Sequence, residues 1–301
     1  MHRVGAVVVS YHPEKAVLNE LLRSLLAQVE LLILVDNGGG ESFLDHDLEA
    51  RQCVRYIDMG SNLGLGAALN RAFDIAVDIG LDYLVTFDQD SHAEAQLIRQ
   101  LSHCMQSAVA KDPNCIAVGP HFFDRREGKK IPFPFYTSDG AHIIPIYHAP
   151  TADGLIKVDT LITSGMMVSV PAWHSKARYD EGMFVDYTDT EWCFRTRSRG
   201  ATLYGCLGVE MGHALSDAPP IKIFGLSFFE YSPVRRYFYF RNTVAVIRMS
   251  HTPKIWKHRL AKGLFLRFFV NLVIDKHRFR SLKMMLRGVS HGLSDKLGGL
   301  R

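Results

Sequence analysis

Leu84-Val85-Thr86-Phe87-Asp88-Gln89-Asp90-Ser91 is an apolar run that ends in two aspartates one residue apart. Read as a strand, it fixes the side chains at its end, and the two-residue period of an extended chain puts Asp88 and Asp90 on one side of it. Two carboxylates held that way can bind a hard divalent cation, which in turn can neutralise a diphosphate. The same pair also suits an exposed turn after a strand, where Asp is a favoured residue, so its meaning depends on the surrounding sequence.

On either side of this run, strand and helix patterns alternate through the first 120 residues. Val4–Ser10 is a continuous β-branched run of the kind buried on both faces of a parallel sheet. Pro13 opens a helix through about Gln28, with Val17, Leu18, Leu21, Leu22, Leu25 and Leu26 at helical spacing. Strands are expected at Leu31–Val35, Val54–Asp58, Leu81–Phe87 and Cys115–Gly119, and helices at Leu65–Ile79 and Glu94–Ala110. Strands separated by helices imply βαβ units and a mostly parallel sheet. Ligands of such sheets bind beyond the carboxyl ends of the strands. Three polar clusters fall there: Ser10-Tyr11-His12-Pro13, Asp36-Asn37 and Asp88-Gln89-Asp90. Residues 122–158 read as a connecting region with short strands, Leu161–Val170 as a further strand, and the chain from Ser232 onward as two or three helices.

The composition excludes several classes. With 301 residues, 47% hydrophobic and 22% charged, the chain is globular and long enough for a large core. A net charge of +4 says little about partners. Five cysteines, widely spaced and without a Cys-x-x-Cys pair, argue against a disulfide framework or a zinc site and suit a reducing cytoplasm. The N-terminal apolar run is too short for a signal peptide, and no window offers a membrane span.

Three further segments carry candidate chemistry. Asn62-Leu63-Gly64-Leu65-Gly66 precedes a helix, so its glycines allow a ligand near the backbone and the helix N-terminus offers N–H groups to an anion. It fits neither a Gly-x-Gly-x-x-Gly fingerprint nor a P-loop. Tyr179 to Trp192 is the densest acidic and aromatic cluster and leads into a helical run at Trp192–Ser198. Asp189 there is either a helix cap or a general base for an attacking hydroxyl. His213 is either structural or the imidazole that completes a cation site.

Tyr11 after a Val-rich strand, Val35-Asp36-Asn37, Asn62-x-Gly64, Asp88-x-Asp90 and the run Tyr179-Asp180-Glu181-Gly182 through Asp189-x-Glu191-Trp192 follow the order and spacing of glycosyltransferase family 2. Over roughly residues 3–215 the chain resembles that family, and within it the bacterial rhamnosyltransferases of O-antigen and other surface polysaccharides. The resemblance implies an α/β fold of GT-A type: a Rossmann-like, mostly parallel sheet flanked by helices, with a basic helical C-terminal extension. It implies a catalytic domain over 1–220, with a nucleotide-binding half (1–120) and an acceptor-binding half (121–220), followed by a helical region over 221–301.

The resemblance also implies site roles. Ser10, Tyr11, Pro13, Asp36, Asn62, Gly64 and Asp88 would hold the donor nucleotide, and Asp90 with His213 would hold Mg2+ or Mn2+ on its diphosphate. Asp189 would be the catalytic base. The family's usual Glu-Asp pair stands here as Thr188-Asp189, which leaves Glu191 as a competing base. Ser164, Gly165, Glu191 and Trp192 would line the sugar and acceptor pocket. The expected reaction is inverting transfer of L-rhamnose from dTDP-L-rhamnose to a saccharide or polyprenyl-linked saccharide. A UDP-hexose donor and a catalytically inactive nucleotide-binding protein are the alternatives. A nucleotidyltransferase would need a Gly-rich basic loop after the first strand, which Ser10-Tyr11-His12-Pro13 is not.

Between Lys254 and Arg287 there are ten Lys/Arg against one acid, Asp275, interleaved with Trp256, Phe265, Phe268, Phe269 and Ile274. Such a region either lies on an anionic bilayer or packs on the catalytic domain with its charges solvated. No nucleic-acid motif accompanies it. The expected location is cytoplasmic, with peripheral contact to the inner face of the cell membrane in the first case.

Overall fold

The computed structural model describes residues 2–38, 44–49, 51–124, 131–149, 153–212, 221–223, 226–228, 231–275 and 277–300. The first half runs β1 (Val4–Ser10), α1 (Lys15–Leu26), β2 (Leu31–Asp36), the single turn α2 (His46–Glu49), β3 (Val54–Asp58), α3 (Leu65–Asp78), β4 (Tyr83–Asp88), α4 (Leu97–Lys111) and β5 (Cys115–Asp124). Then come β6 (Ile131–Pro132), the hairpin β7 (Phe135–Ser138) with β8 (Ile143–Ile146), β9 (Leu155–Lys157), β10 (Met166–Ser169), α5 (Val170–Lys176), α6 (Thr188–Ser198) and β11 (Thr202–Gly212). The short pair β12 (Ile221–Ile223) and β13 (Leu226–Phe228) precedes three helices: α7 (Pro233–Arg248), α8 (Lys254–Ile274) and α9 (Arg278–Leu293).

The main sheet has the order β3-β2-β1-β4-β10-β5-β11-β9, with β6 added to β5. β1 to β4 are mutually parallel, as are β5 and β11, while β10 is antiparallel to both β4 and β5. The strands read as unbroken apolar runs because both faces are covered. Ala6 and Val8 of β1 pack with Leu18, Leu22 and Leu25 of α1 on one side. Val7 packs with Leu69, Ala72 and Phe73 of α3 on the other.

Two local readings change. Only Met166–Ser169 of the expected strand at 161–170 pairs in the sheet, which leaves Ile162 and Thr163 as loop residues. Helix α6 begins at Thr188 instead of Trp192, because Tyr187 takes a left-handed conformation (φ 64°) and turns the chain into the helix there. Asp189 therefore sits in the first turn, inside the cap position.

The C-terminal helices are packed against the preceding fold. Ser232 caps α7 by accepting from the Arg235 N–H (3.2 Å), with Pro233 in the first turn. Met183 and Phe194 share a small core with Ala245, Val246 and Trp256. Gly288 and Gly292, one turn apart on α9, allow a close approach to α7: a Cβ at either would lie 2.5 Å from the carbonyl of Tyr237 or Arg241.

Candidate active site

From β1, the chain builds β2 and β3 on one side and then returns to place β4 on the other. A crevice forms beyond the strand ends at such a reversal. Register fixes what meets there, since Ser10 is opposite Asp36 and Val9 is opposite Asp88. The Gln89 side chain straddles the β1–β4 junction, accepting from the Tyr11 N–H (2.7 Å) and donating to the Tyr11 carbonyl (3.3 Å). A cleft of about 1010 Å³ opens at this junction, lined by Tyr11, Asn37, Asn62, Asp88 and Asp90 on one side and by Thr163, Asp186, Thr188, Asp189 and Arg235 on the other. Carboxylates from the end of β4 and the start of α6, a hundred residues apart in sequence, thus face one space.

Asp88 and Asp90 reach the cleft by a different route from simple alternation. β4 ends at Asp88, and the chain turns through Gln89 and Asp90, with the Ser91 N–H donating to the Asp88 carbonyl (3.1 Å). The turn presents Asp90 to the opening.

The glycine-containing loop before α3 also works differently. Asn62 accepts from the Gly64 N–H (3.0 Å) and the Asn37 side chain (3.1 Å), and Asn37 accepts from the Leu63 N–H (2.9 Å). Gly64 has φ +93°, and a Cβ on it would lie 2.8 Å from Phe184; one on Gly66 would lie 2.9 Å from the Asp180 carbonyl. These glycines make room for the chain's own 180–184 segment rather than for a ligand. The Leu65 N–H, at the helix N-terminus, donates to the Phe184 carbonyl (2.6 Å) and is not open to an anion.

Asp189 borders the cleft, its Oδ1 accepting from the Thr190 N–H at 2.6 Å. Burial pushes its pKa up from the ordinary carboxylate value. Hydrogen bonds from Thr190 and from the Thr163 N–H oppose that push, and the charge of Asp186 adds to it. Glu191 and Trp192 lie elsewhere. Two residues along a helix is roughly 200° of rotation, so Glu191 points into the protein, 1% exposed, with Arg195 at 2.6 Å and His251 at 3.1 Å. Burial alone would raise its pKa, but hydrogen bonds from His251 and Arg195, reinforced by their charges, hold it below the usual value. Trp192 is fully buried, donating to the Ala177 carbonyl and stacked on Tyr179 at 5.5 Å. Neither lines the cleft.

The remaining expected site residues lie behind its wall. Asp36 is fully buried, with its oxygens accepting from the Gly38 N–H (2.9 Å) and the Tyr56 hydroxyl (3.0 Å); its neighbour Asn37, itself largely buried, borders the cleft instead. Ser10 is buried against the Val35 carbonyl, and Pro13 is buried beneath the loop. Ser164 is buried against the Ser91 hydroxyl, and Gly165 (φ +75°) packs on Pro120 and Met211. Thr163 and Ile162 line the cleft in their place, and Ile162 also borders an apolar hollow of about 220 Å³ walled by Phe122, Phe133, Phe135 and Tyr136. His213 lies outside the described residues.

Several contributors had no assigned role in the sequence reading. Phe184, Asp186 and Tyr187 all have positive φ (62°, 57° and 64°), an unusual concentration for non-glycine residues. Helix α7 holds this loop. The buried Asn242 amide donates to the carbonyls of Met183 (2.6 Å), Val185 (2.6 Å) and Asp186 (2.9 Å), and Arg241 donates to those of Gly182 (3.1 Å) and Met183 (3.0 Å). Arg235 is the one Lys, Arg or His lining the cleft among the described residues; it reaches Asp186 at 3.3 Å and stacks on Tyr231. Helix α7 carries Arg235, Arg236, Thr243 and Arg248 besides Arg241 and Asn242, so its sequence does not single these two out.

Residues 6–147 match the family model described as glycosyl transferase family 2. Over those residues the chain is similar to family 2 glycosyltransferases. It is 29% identical over 298 residues (99% of this chain, 98% of the relative) to the dTDP-rhamnosyl transferase RfbF of Shigella flexneri. It is 22% identical over 232 residues (70% and 66%) to the low-salt glycan biosynthesis hexosyltransferase Agl10 of Haloferax volcanii. Among solved structures, GalNAc-T7 with UDP, GalNAc and Mn2+ superposes with a TM-score of 0.60 at 13% identity, covering 98% of this chain and 56% of that one. At that identity the likeness is one of fold, and it agrees with the GT-A architecture expected from the sequence.

Proposed function

We propose that this glycosyltransferase moves L-rhamnose from dTDP-L-rhamnose to a saccharide or lipid-linked saccharide acceptor, with inversion at the anomeric carbon, in the building of a surface polysaccharide. The observation that carries the reaction is the meeting of Asp88, Asp90 and Asp189 across one cleft. Likeness to the Shigella flexneri protein along nearly its whole length supports the donor.

In this reading the nucleotide lies across the strand ends by Tyr11, Asn37 and Asn62. Asp189 takes the proton of the acceptor hydroxyl as the new bond forms, and its raised pKa strengthens it as a base. Thr163 and Thr190 hold its carboxylate in place. The cleft holds donor and acceptor in line, which contributes on the order of 7–11 kcal/mol at best. The apolar hollow beyond Ile162 is placed to receive the less polar part of an acceptor.

Asp88 and Asp90 fit a divalent cation, as hard oxygen donors beside the space for a diphosphate. Mg2+ is commonly held by one or two carboxylates together with substrate phosphates, so a larger protein cage is not required. Bound there, Mg2+ or Mn2+ would stabilise the charge of the departing nucleotide.

The test is a donor panel of dTDP-L-rhamnose, UDP-glucose, UDP-galactose and UDP-N-acetylglucosamine, read as nucleotide released with and without saccharide acceptors. Release of dTDP alone is expected. Release of UDP from a UDP-hexose in preference would replace the donor assignment, and no turnover of any donor would overturn the enzymatic reading.

A further inference from the structure

We propose that the α8–α9 hairpin is a docking surface for an anionic lipid bilayer. The five most exposed large apolar side chains among the described residues are all on it: Phe279 (90%), Val273 (70%), Phe265 (67%), Leu293 and Leu286. Phe265, Phe269 and Val273 fall at positions i, i+4 and i+8 of α8, one stripe of the helix. Phe265 and Phe269 rest edge to face at 4.8 Å, so the stripe is a formed apolar ridge. Val273 and Phe279 flank the turn into α9.

The charge pattern decides what covers this surface. Arg259, Arg267 and Arg287 lie over the rings of Tyr136, Tyr239 and Tyr237, which hold their guanidinium groups against the protein. Lys262, Arg278, Arg280 and Lys283 are exposed on the same two helices, Arg278 and Arg280 on either side of Phe279 in sequence. The region's one acid, Asp275, is buried and ion-paired with Arg236 of α7, so it does not offset them at the surface. Cations bordering exposed aromatic and aliphatic side chains match phosphate headgroups above acyl chains. No helix among the described residues is long and apolar enough to cross a membrane, so the contact is a helix pair lying on the bilayer. This surface would bring the cleft to a lipid-linked acceptor; the acceptor assignment rests on the reading above, whereas the bilayer contact stands on the hairpin alone.

The experiment is flotation of the full chain with vesicles of phosphatidylcholine, with or without one third phosphatidylglycerol, alongside dTDP-L-rhamnose hydrolysis in solution. Wild type should float with anionic vesicles at low salt, and at least tenfold less with neutral ones. Val273→Ser with Phe279→Ser, both highly exposed positions, should cut flotation at least tenfold and leave hydrolysis unchanged. Arg278→Gln with Arg280→Gln and Lys283→Gln should remove the preference for anionic vesicles. Failure of wild type to float, or equal binding to neutral vesicles, overturns the proposal. So does a concentration-dependent dimer in sedimentation that the Val273→Ser, Phe279→Ser chain loses, which would assign the face to a second copy. Loss of hydrolysis in every chain would count against the catalytic reading and leave the flotation result to stand separately.

Discussion

The side-chain amide of Asn242 donates to the backbone carbonyl of Asp186 at 2.9 Å, three residues before Asp189. With its bonds to Met183 and Val185, it holds a loop whose positive-φ residues each cost about 1–3 kcal/mol. Such a conformation persists only when its surroundings enforce it. Asn242→Ala is expected to let the loop relax and shift Asp189. A displacement near 1 Å costs roughly 10²-fold in turnover. The expected result is a kcat about 100-fold lower, with dTDP affinity within about threefold of wild type, measured on protein whose melting curve remains cooperative. A wild-type kcat would show that the loop holds itself.

Asp189→Asn separates catalysis from stability. If Asp189 is the base, it contributes on the order of 10²–10⁴ in rate, so transfer should fall that far while dTDP binding persists. Its folded-state pKa is raised chiefly by burial. Between the unfolded and folded values the native state therefore binds more protons, and stability falls as pH rises through that window. Above it the ionised carboxylate is a net cost, so the Asn variant should melt higher than wild type at neutral pH. In wild type, kcat/KM should fall with decreasing pH at a point above the ordinary aspartate range. An Asn variant that melts lower at neutral pH would contradict the burial argument.

The parallel half of the sheet was legible because each strand there is buried on both faces, and a run such as Val4–Ser10 has few other uses. Meeting points at strand ends were legible for the same reason, as parallel register sets Ser10 opposite Asp36 and Val9 opposite Asp88. The outer wall of the cleft was not. Glu191 and Asp189 look alike in sequence, and only the helix start at Thr188 decides which one faces the cleft. Asp36 and Ser164 follow the same logic: each lies one residue from a side chain that does line the cleft, and the boundary of a strand or loop settles which of the two points outward. Asn242 was unreadable because its partners are backbone carbonyls more than 50 residues away, which leave no side-chain pattern.

Glu191 is expected to matter for stability instead of chemistry. Glu191→Gln leaves Arg195 without its buried carboxylate, and breaking such a pair costs about 3 kcal/mol. The folded-state pKa of Glu191 is lowered, with hydrogen bonds and charges from His251 and Arg195 overcoming the effect of burial. Its stabilisation is therefore complete above the unfolded value and lost as pH falls through the folded one. Melting temperatures of wild type and variant should be well separated at pH 7 and converge under acid conditions below that folded value. Folded Glu191→Gln should retain transfer activity. Loss of activity without loss of stability would return Glu191 to the list of candidate bases.

Asp90 provides the sharpest check on the cation. Its carboxylate is exposed at the turn after β4 and faces the cleft, so Asp90→Ala should leave the fold intact. Calorimetric titration of dTDP into wild type should show tighter binding with Mg2+ or Mn2+ than with EDTA. If Asp88 and Asp90 share the ion with the diphosphate, removing one of two protein donors should erase most of that difference and leave the EDTA affinity within about threefold. Tenfold weaker binding of the variant in EDTA would instead mean that Asp90 touches the nucleotide directly. An undiminished response to Mn2+ in Asp90→Ala would move the ion to other ligands, and the pairing of Asp88 with Asp90 would lose its chemical meaning.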